Sequence, residues 1–308
     1  MSKSSKIGVG NWIPSKNLSL IANLCVDFNK GKVYEIFWEY CDLTAEILSK
    51  MQALCWLYYE DSKLSGFALG RLKGETFVAE EIWGPCDGMS NELGQLSRLD
   101  MKRTLRFKKV VASLSFGVPI VIRAATDNQF AHLIARTLGA RWMNGLIISE
   151  RTLNRKFEIS TPTGYRLRMF TEGDQFYMSK IHKQAFGRIF SPNDYKTWTR
   201  AANYKTIMAT YNKKSVGFII AEKRRCGSLG DFTIVISPAH QKKGIGSALL
   251  KAAFNIFVDM GVKRVIADYL ILNTSANRLY QKHKFKPKRV YNYFLYQKGV
   301  KNRRLIHF

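Results

Sequence analysis

HQKKGIGSALLKAAF, residues 240–254, is the stretch on which the reading of this chain turns. It joins an apolar run, GDFTIVIS (230–237), which Pro238 ends, to a segment where Leu250, Ala253, Phe254, Phe257 and Val258 recur at helical spacing until Gly261. The pattern is strand, glycine-rich turn, helix. At such a junction, backbone N–H groups and the helix dipole converge on an anion. A GxG triplet alone carries nothing: Gly8-Val9-Gly10 is another, and glycine at about 7% of residues produces them by chance. Two familiar phosphate loops are excluded. No GxxxxGK followed by Ser or Thr is present, and Leu249 stands where the third glycine of GxGxxG belongs.

The surrounding half has a legible order. TGYRLRMF (163–170) alternates as a strand, a helical stretch covers 172–186, and Ser191-Pro192-Asn193 opens a second helix. YKTIMATY (204–211), SVGFIIAEKRR (215–225) and GDFTIVIS form an antiparallel meander, turned at Asn212-Lys213-Lys214 and Cys226-Gly227-Ser228. RVIADYLIL (264–272) is nearly continuous apolar sequence, expected in the middle of a sheet. A short helix over Ser275–Lys284 and the alternating VYNYFLYQ (290–297) complete it. The expected fold class is therefore α/β, a mixed and mostly antiparallel sheet flanked by helices.

The first half reads as a worn copy of this plan. LSGFALGRL (64–72) matches SVGFIIAEK (215–223) at Gly66/Gly217 and Phe67/Phe218, 151 residues apart. VIRAATDNQFAHLIARTLGA (121–140) parallels 265–285, with Asn128 over Asn273 and Ala131 over Ala276, 145 apart. Matches in the same order on the same elements indicate an internal duplication.

A second motif follows the loop by some thirty residues: Asn273-Thr274-Ser275-Ala276-Asn277-Arg278-Leu279-Tyr280-Gln281-Lys282-His283-Lys284-Phe285. Gln241-Lys242-Lys243-Gly244-Ile245-Gly246 resembles the Q/R-x-x-G-x-G/A loop of the GNAT family of acetyltransferases. The second motif resembles that family's N-x-x-A-x-x-L-Y-x-K-x-G-F and departs from it at Lys284, where glycine is usual. The resemblance covers roughly 160–300 well and 50–150 faintly. It implies two tandem GNAT-like domains: a degenerate, non-catalytic copy over 1–155, a catalytic domain over 156–300, and a basic tail over 301–308. It implies acetyl-CoA as acyl donor and no metal, with the pyrophosphate on Gln241, Lys242, Lys243, Gly244, Ile245, Gly246 and Ser247. The pantetheine arm would pair along Ile234–Ile236, and Asn273 would contact CoA. Tyr280 takes the family's general-acid position. For the base, Asp231 and Glu222 are candidates, with His240, His283 and His182 behind them, and a water relay is equally compatible. In the first half Ala135 replaces Tyr280, and Glu92-Leu93-Gly94-Gln95 contains no GxG.

Charge bears on the acceptor. The chain carries a formal +26, and residues 156–308 hold 29 Lys and Arg against 8 Asp and Glu, whereas residues 1–155 hold 20 against 15. Such a field attracts polyanions. The expected acceptor is a primary amine on a nucleic acid or on something bound to one. Lys223, Arg224, Arg225, Lys282, Lys284, Lys286, Lys288, Arg289 and the tail Lys301–Arg304 would be its surface, with Tyr291, Tyr293, Phe294 and Tyr296 as stacking platforms. The run Met101–Lys109 extends the surface or is a solvated helix face. A small-molecule amine, or a nucleic-acid-binding protein of non-catalytic GNAT fold, are the alternatives. Five scattered cysteines (Cys25, Cys41, Cys55, Cys86, Cys226) suit free thiols in a reducing compartment. No run nears the roughly 18 apolar residues that span a bilayer. A cytoplasmic location is expected.

Overall fold

The computed structural model describes residues 11–29, 45–50, 52–84, 98–114, 118–187, 195–196, 199, 201–224 and 227–297. The expected helix at Ser191-Pro192-Asn193, the segment Glu92–Gln95, Gly8-Val9-Gly10, Arg225, the tail from Lys301 and three cysteines (Cys41, Cys86, Cys226) lie outside these.

The chain forms two compact units. The first comprises Met1–Ile147, Leu270–Leu272 and Arg289–Phe308; the second comprises Ile148–Tyr269 and Asn273–Lys288. A single cut at 155/156 expects a different grouping. The unit boundary falls inside a strand instead, and the last strand returns to the first unit, because strand pairing rather than chain order decides which residues pack together.

The first unit contains β1 (Asn11–Ser15), α1 (Leu18–Asn29), α2 (Ala45–Lys50), β2 (Leu54–Glu60), β3 (Lys63–Lys73), β4 (Thr76–Trp83), α3 (Arg98–Leu114), β5 (Ile120–Ala125), α4 (Gln129–Leu138) and the start of β6 (Arg141–Thr152). The second contains the end of β6, β7 (Tyr165–Met169), α5 (Asp174–Phe186), β8 (Tyr204–Tyr211), β9 (Lys214–Lys223), β10 (Leu229–Ile236), α6 (Ile245–Asp259), β11 (Arg264–Leu270) and α7 (Thr274–Lys282). The last strand, β12 (Lys286–Tyr296), enters the first unit at Arg289 and pairs antiparallel with β5, Tyr291 facing Ala125. Strand order is β1-β2-β3-β4-β5-β12-β6 in the first unit and β6-β11-β10-β9-β8-β7 in the second. Only the pairs β4/β5 and β10/β11 are recorded as parallel. The fold is thus α/β with a mostly antiparallel sheet.

Duplication reaches the level of single backbone angles. The β2–β3 turn has positive φ at Asp61 and Ser62, and the β8–β9 turn has it at Asn212 and Lys213, each 151 residues on. Two successive positive φ values mark the tight hairpin turn that suits strand twist. A bulge falls between Tyr58 and Tyr59 in one hairpin and between Ala209 and Thr210 in the other. A Cβ on Gly66 would lie 2.3 Å from the Trp83 carbonyl oxygen, and one on Gly217 would lie 2.9 Å from that of Val235, so both hairpins need glycine there. Asn128 and Asn273 cap α4 and α7, each side chain accepting from the amide three residues on at 3.0 Å.

Packing follows from these elements. The first unit buries Trp56, Tyr58, Phe77, Ile82, Phe107, Ile122, Phe130 and Ile134 together. The second buries Met178, Tyr195, Met208, Phe218, Ile220 and Val235, and α6 adds Leu249, Leu250, Phe254 and Phe257. Cys25 and Cys55 are buried free thiols, and burial pushes the Cys55 thiol up to about 11. The run Met101–Lys109 lies on α3, where Arg103 turns inward to pair with Glu60 at 2.7 Å while Lys102 and Lys109 face solvent. Among the described residues no helix is long and apolar enough to cross a membrane.

Candidate active site

The open side of β10 organises the site. β10 and β11 pair at Leu229/Arg264 and Gly230/Val265 only; beyond Gly230 no strand is recorded against that edge of β10. Gly230 sits at the apex of this opening, where a Cβ would meet the Phe257 ring at 2.7 Å. On its other edge β10 pairs with β9 from Gly230 to Ile236. The Ser237 amide donates to Val216 of β9 at 2.9 Å. Backbone groups alternate sides along a strand, so those of Ile236, Ile234 and Phe232 face the opening. The Gln241 side-chain amide confirms the direction by donating to the Ile236 carbonyl at 3.0 Å. The Phe232 amide is taken by the Asp231 carboxylate at 2.7 Å, while Ile234 and Ile236 keep theirs toward the gap.

At the far end of this edge lies the glycine-rich turn. Pro238–His240 form a single 3-10 turn, and α6 begins at Ile245. Lys242 and Gly244 take positive φ (59° and 85°) on either side of Lys243, a change of handedness that turns successive N–H groups to one side. None of the amides from Lys242 to Gly246 donates to a backbone acceptor among the described residues. The loop residues Gln241–Gly244 are exposed, while Ile245 and Gly246 are buried. A Cβ on Gly246 would meet Ile236 at 3.2 Å and Leu279 at 3.5 Å, so close packing beneath the loop, rather than room for an anion, demands glycine here. Ser247 starts the helix by donating to the Gly244 carbonyl at 3.1 Å. His240 anchors the turn: its Nδ1 lies 2.9 Å from the Tyr165 hydroxyl, and its ring packs on Tyr165 and Tyr211.

Tyr280, on α7, closes the other end. Its ring contacts Phe232, Tyr269 and Phe285, with centroids 5.7, 5.2 and 5.4 Å away. The hydroxyl has no hydrogen-bond partner among the described residues. Burial, then Asp268 and Asp231, hold the phenol far above its ordinary range, so it remains protonated. From Ile236 to Phe232 the strand covers roughly 13 Å, the span separating the loop from this phenol along β10.

Asp231 is buried and doubly engaged, through Phe232 N–H and through Arg224 at 2.5 Å. Arg224 also holds Glu222 at 3.1 Å, and Glu222 accepts from Tyr204. Burial pushes the Asp231 carboxyl up against the opposing pull of Arg224. Neither carboxylate is a free base. The sequence reading missed this four-residue cluster, although Tyr204, Glu222 and Asp231 occupy facing positions on three neighbouring strands. His182 is buried on α5 against Phe186. His283 is buried behind α7, where burial, Arg151, Lys282 and Lys251 lower its pKa to about 4.

The basic surface is smaller than expected. Lys223 donates to the Met260 carbonyl at 2.7 Å and caps α6, and Arg224 is internal. Lys282, Lys284, Lys286 and Lys288 are exposed. Arg289 is buried, pairs with Asp127 at 3.1 Å, and stacks on Tyr291. Tyr291 is fully buried, and Phe294 and Tyr296 pack on the core, so none of these three is a platform for bases.

The equivalent gap in the first unit is filled. By the matched approaches of Gly66 and Gly217, Ile82 corresponds to Ile234. The Asn128 side chain donates to the Ile82 carbonyl at 2.9 Å, and Arg123 donates to that of Glu80 at 3.1 Å. Phe130 lies against Gly84. Ala135, the counterpart of Tyr280, is a buried core residue. Side chains occupy the strand groups that remain open in the second unit. No three metal-binding side chains gather among the described residues.

Residues 174–285 match the family model for the acetyltransferase (GNAT) family. No curated protein matches the chain. Among solved structures, a GNAT-fold N-acetyltransferase of Sphaerobacter thermophilus superimposes with a TM-score of 0.68 at 16% identity, over 94% of this chain and 98% of that one. A tandem GNAT protein from the clavulanic acid biosynthesis pathway gives 0.61 at 10% identity, over 95% and 100%. A GNAT-family acetyltransferase of Colwellia psychrerythraea gives 0.61 at 12%, over 93% and 100%. With the family match on its second half and the same fold twice over, the chain is a GNAT-family protein of tandem arrangement.

Proposed function

We propose that the second unit transfers an acetyl group from acetyl-CoA to a primary amine by direct attack, and that this amine belongs to a nucleic acid or to a molecule bound to one. The observation carrying the first part is the open edge of β10, which runs from the unpaired amides of Lys242–Gly246 to the Tyr280 phenol. Acetyl-CoA would supply an acyl thioester and a pyrophosphate. The residues present fit it: convergent amides at Gly244, Ile245 and Gly246, the Lys242 and Lys243 side chains and Ser247 suit the anion, and Gln241 fixes the loop to the strand. Ile234 and Ile236 offer backbone groups for an extended amide-bearing arm, and an N–H here also stabilises a developing oxyanion. Asn273 spends its side-chain oxygen on the α7 cap, which leaves its NH2 to donate outward. Tyr280, held protonated, gives its hydrogen to the departing sulfur. Asp231 is the base named by its position; with both oxygens engaged it takes the amine proton through water, and it also holds Arg224 in place. A pair of charged residues so arranged at the apex restricts the amine to one approach.

For the nucleic-acid part, the support is the +21 balance of residues 156–308. A small-molecule amine is the second reading, favoured by the internal engagement of Lys223, Arg224 and Arg289. The test is acetyl-CoA-dependent mass gain in tRNA, DNA and a panel of small amines. With the responsive acceptor, Tyr280→Phe is expected to lower turnover about 100-fold with little change in acetyl-CoA affinity. Equal turnover would remove Tyr280 from the chemistry, and mass gain in small amines alone would decide for the second reading.

A further inference from the structure

Helix α5 presents an unusual outer face. Phe176 is 69% exposed and Tyr177 49% exposed, and their rings meet edge to face at 5.8 Å. Lys180 and Lys183 are exposed on the same helix, one and two turns further on. The helix contains a single carboxylate, Asp174, which is buried and bound by Arg168 at 2.6 and 2.7 Å and by Thr171. Neither lysine has an acidic partner. Met169, 53% exposed, lies at the end of β7 just before this helix. Two solvent-facing aromatics beside two uncompensated cations are not what a solvated helix face requires. A purely apolar partner would leave both ammonium groups stranded.

The helix also adjoins the donor loop. Gln184, in its last turn, accepts a hydrogen bond from the Ser237 hydroxyl at 3.1 Å, directly before the Pro238 turn. Phe176 stands eight residues earlier, roughly 12 Å along the axis. A strand of nucleotides spans that distance in two to three units, with one phosphate at each lysine.

We propose that this face binds a single-stranded nucleic acid, with bases stacked on Phe176 and Tyr177 and phosphates on Lys180 and Lys183. The strand then leads an attached amine toward the loop and the open edge of β10. Stacking accepts any base because every base has a π face, and the lysines supply charge without sequence preference. In its last step, delivery of the amine, the proposal rests on the acetyltransferase reading; binding itself does not.

The test measures binding of fluorescein-labelled 12-mers of oligo(U) and oligo(dT), and of a 12-base-pair duplex, to the full chain without acetyl-CoA. Wild type should bind both single strands more tightly than the duplex. Phe176→Ala/Tyr177→Ala should weaken single-strand binding on the order of tenfold while leaving the duplex unchanged. Lys180→Gln/Lys183→Gln should lower the salt slope by about 1. A control pair on the separate basic strip, Lys286→Gln/Lys288→Gln, should leave the single-strand preference intact. Thermal melting checks that each variant is folded, and acetyl-CoA affinity, measured separately by calorimetry, tells failure of the donor site from failure of this surface. Equal single-strand binding by wild type and the aromatic pair would overturn the proposal. So would binding to neither oligonucleotide, or a change of mass in sedimentation on Phe176→Ala/Tyr177→Ala, which would assign the face to a second copy.

Discussion

Lys284 and Gly139 stand at the same place in the two copies, and both take a left-handed backbone, with φ of 58° and 69°. Each follows a helix whose end is closed by the same two bonds, Gly139 to Arg136 and Ala140 to Ala135 in one, Lys284 to Gln281 and Phe285 to Tyr280 in the other. A Cβ disfavours this conformation by about 1 kcal/mol. Lys284→Gly should therefore stabilise the protein by up to that amount, less the extra freedom glycine gives the unfolded chain. A midpoint that falls in urea unfolding would contradict the strain. The sequence alone identified Lys284 as the one departure from the motif, because a motif shows which residue is absent. It could not show that lysine keeps the geometry glycine would have. The loop lysines, Tyr280 and Asn273 were legible for the same reason: short local patterns specify them. Asp231 was legible as a position, but its partner Arg224 comes from a neighbouring strand, and pairings between strands leave no mark at fixed spacing.

Helix α7 carries Tyr280, and its setting depends on what holds its C-terminal end. The Arg151 guanidinium lies between the Phe157 and Phe254 rings, 4.7 and 4.8 Å from their centroids, and donates to the His283 carbonyl. His283 itself is neutral, its pKa lowered to about 4 by burial and by the nearby cations, and its Nε2 is buried without a partner among the described residues. An unfolded histidine titrates near 6.5, so between roughly pH 6.5 and 4 the unfolded chain binds the additional proton. Stability from this group is complete above pH 6.5 and declines as the pH falls toward 4. His283→Leu should flatten that part of the pH–stability curve; an unchanged slope would mean that His283 is solvated. Elements of this kind were read with ease where periodicity is strong. β8 was located to the residue as YKTIMATY, and the meander followed from its turns. The splay of β10 from β11 was expected from the resemblance, since an apolar strand looks the same with one neighbour or two. What fills the matching gap in the first unit, Asn128 and Arg123, reads in sequence as a cap and a strand residue.

Over the whole molecule, division of the chain does not coincide with division of the fold. The second unit is complete in 148–288, whereas 156–300 lacks the end of β6, which neighbours β11, and retains a β12 whose partner β5 it does not contain. Expressed as fragments, 148–288 should give the more cooperative thermal transition, and 1–155, missing β12, should be trapped or degraded. A cooperative 1–155 would show that β12 is dispensable to the first unit. The boundary near 155 was drawn from a change in charge and from the repeat, which record how the sequence was copied; the exchange of a final strand is invisible to both. That exchange has a genealogical side. A silent copy with a blocked cleft would ordinarily be free to erode or be lost by a chance stop codon or deletion. Here the reading frame must run through the second copy before the first receives its strand from Arg289 onward. Any lineage that discards either half damages the other, and the inactive copy is inherited under the selection that maintains the active one.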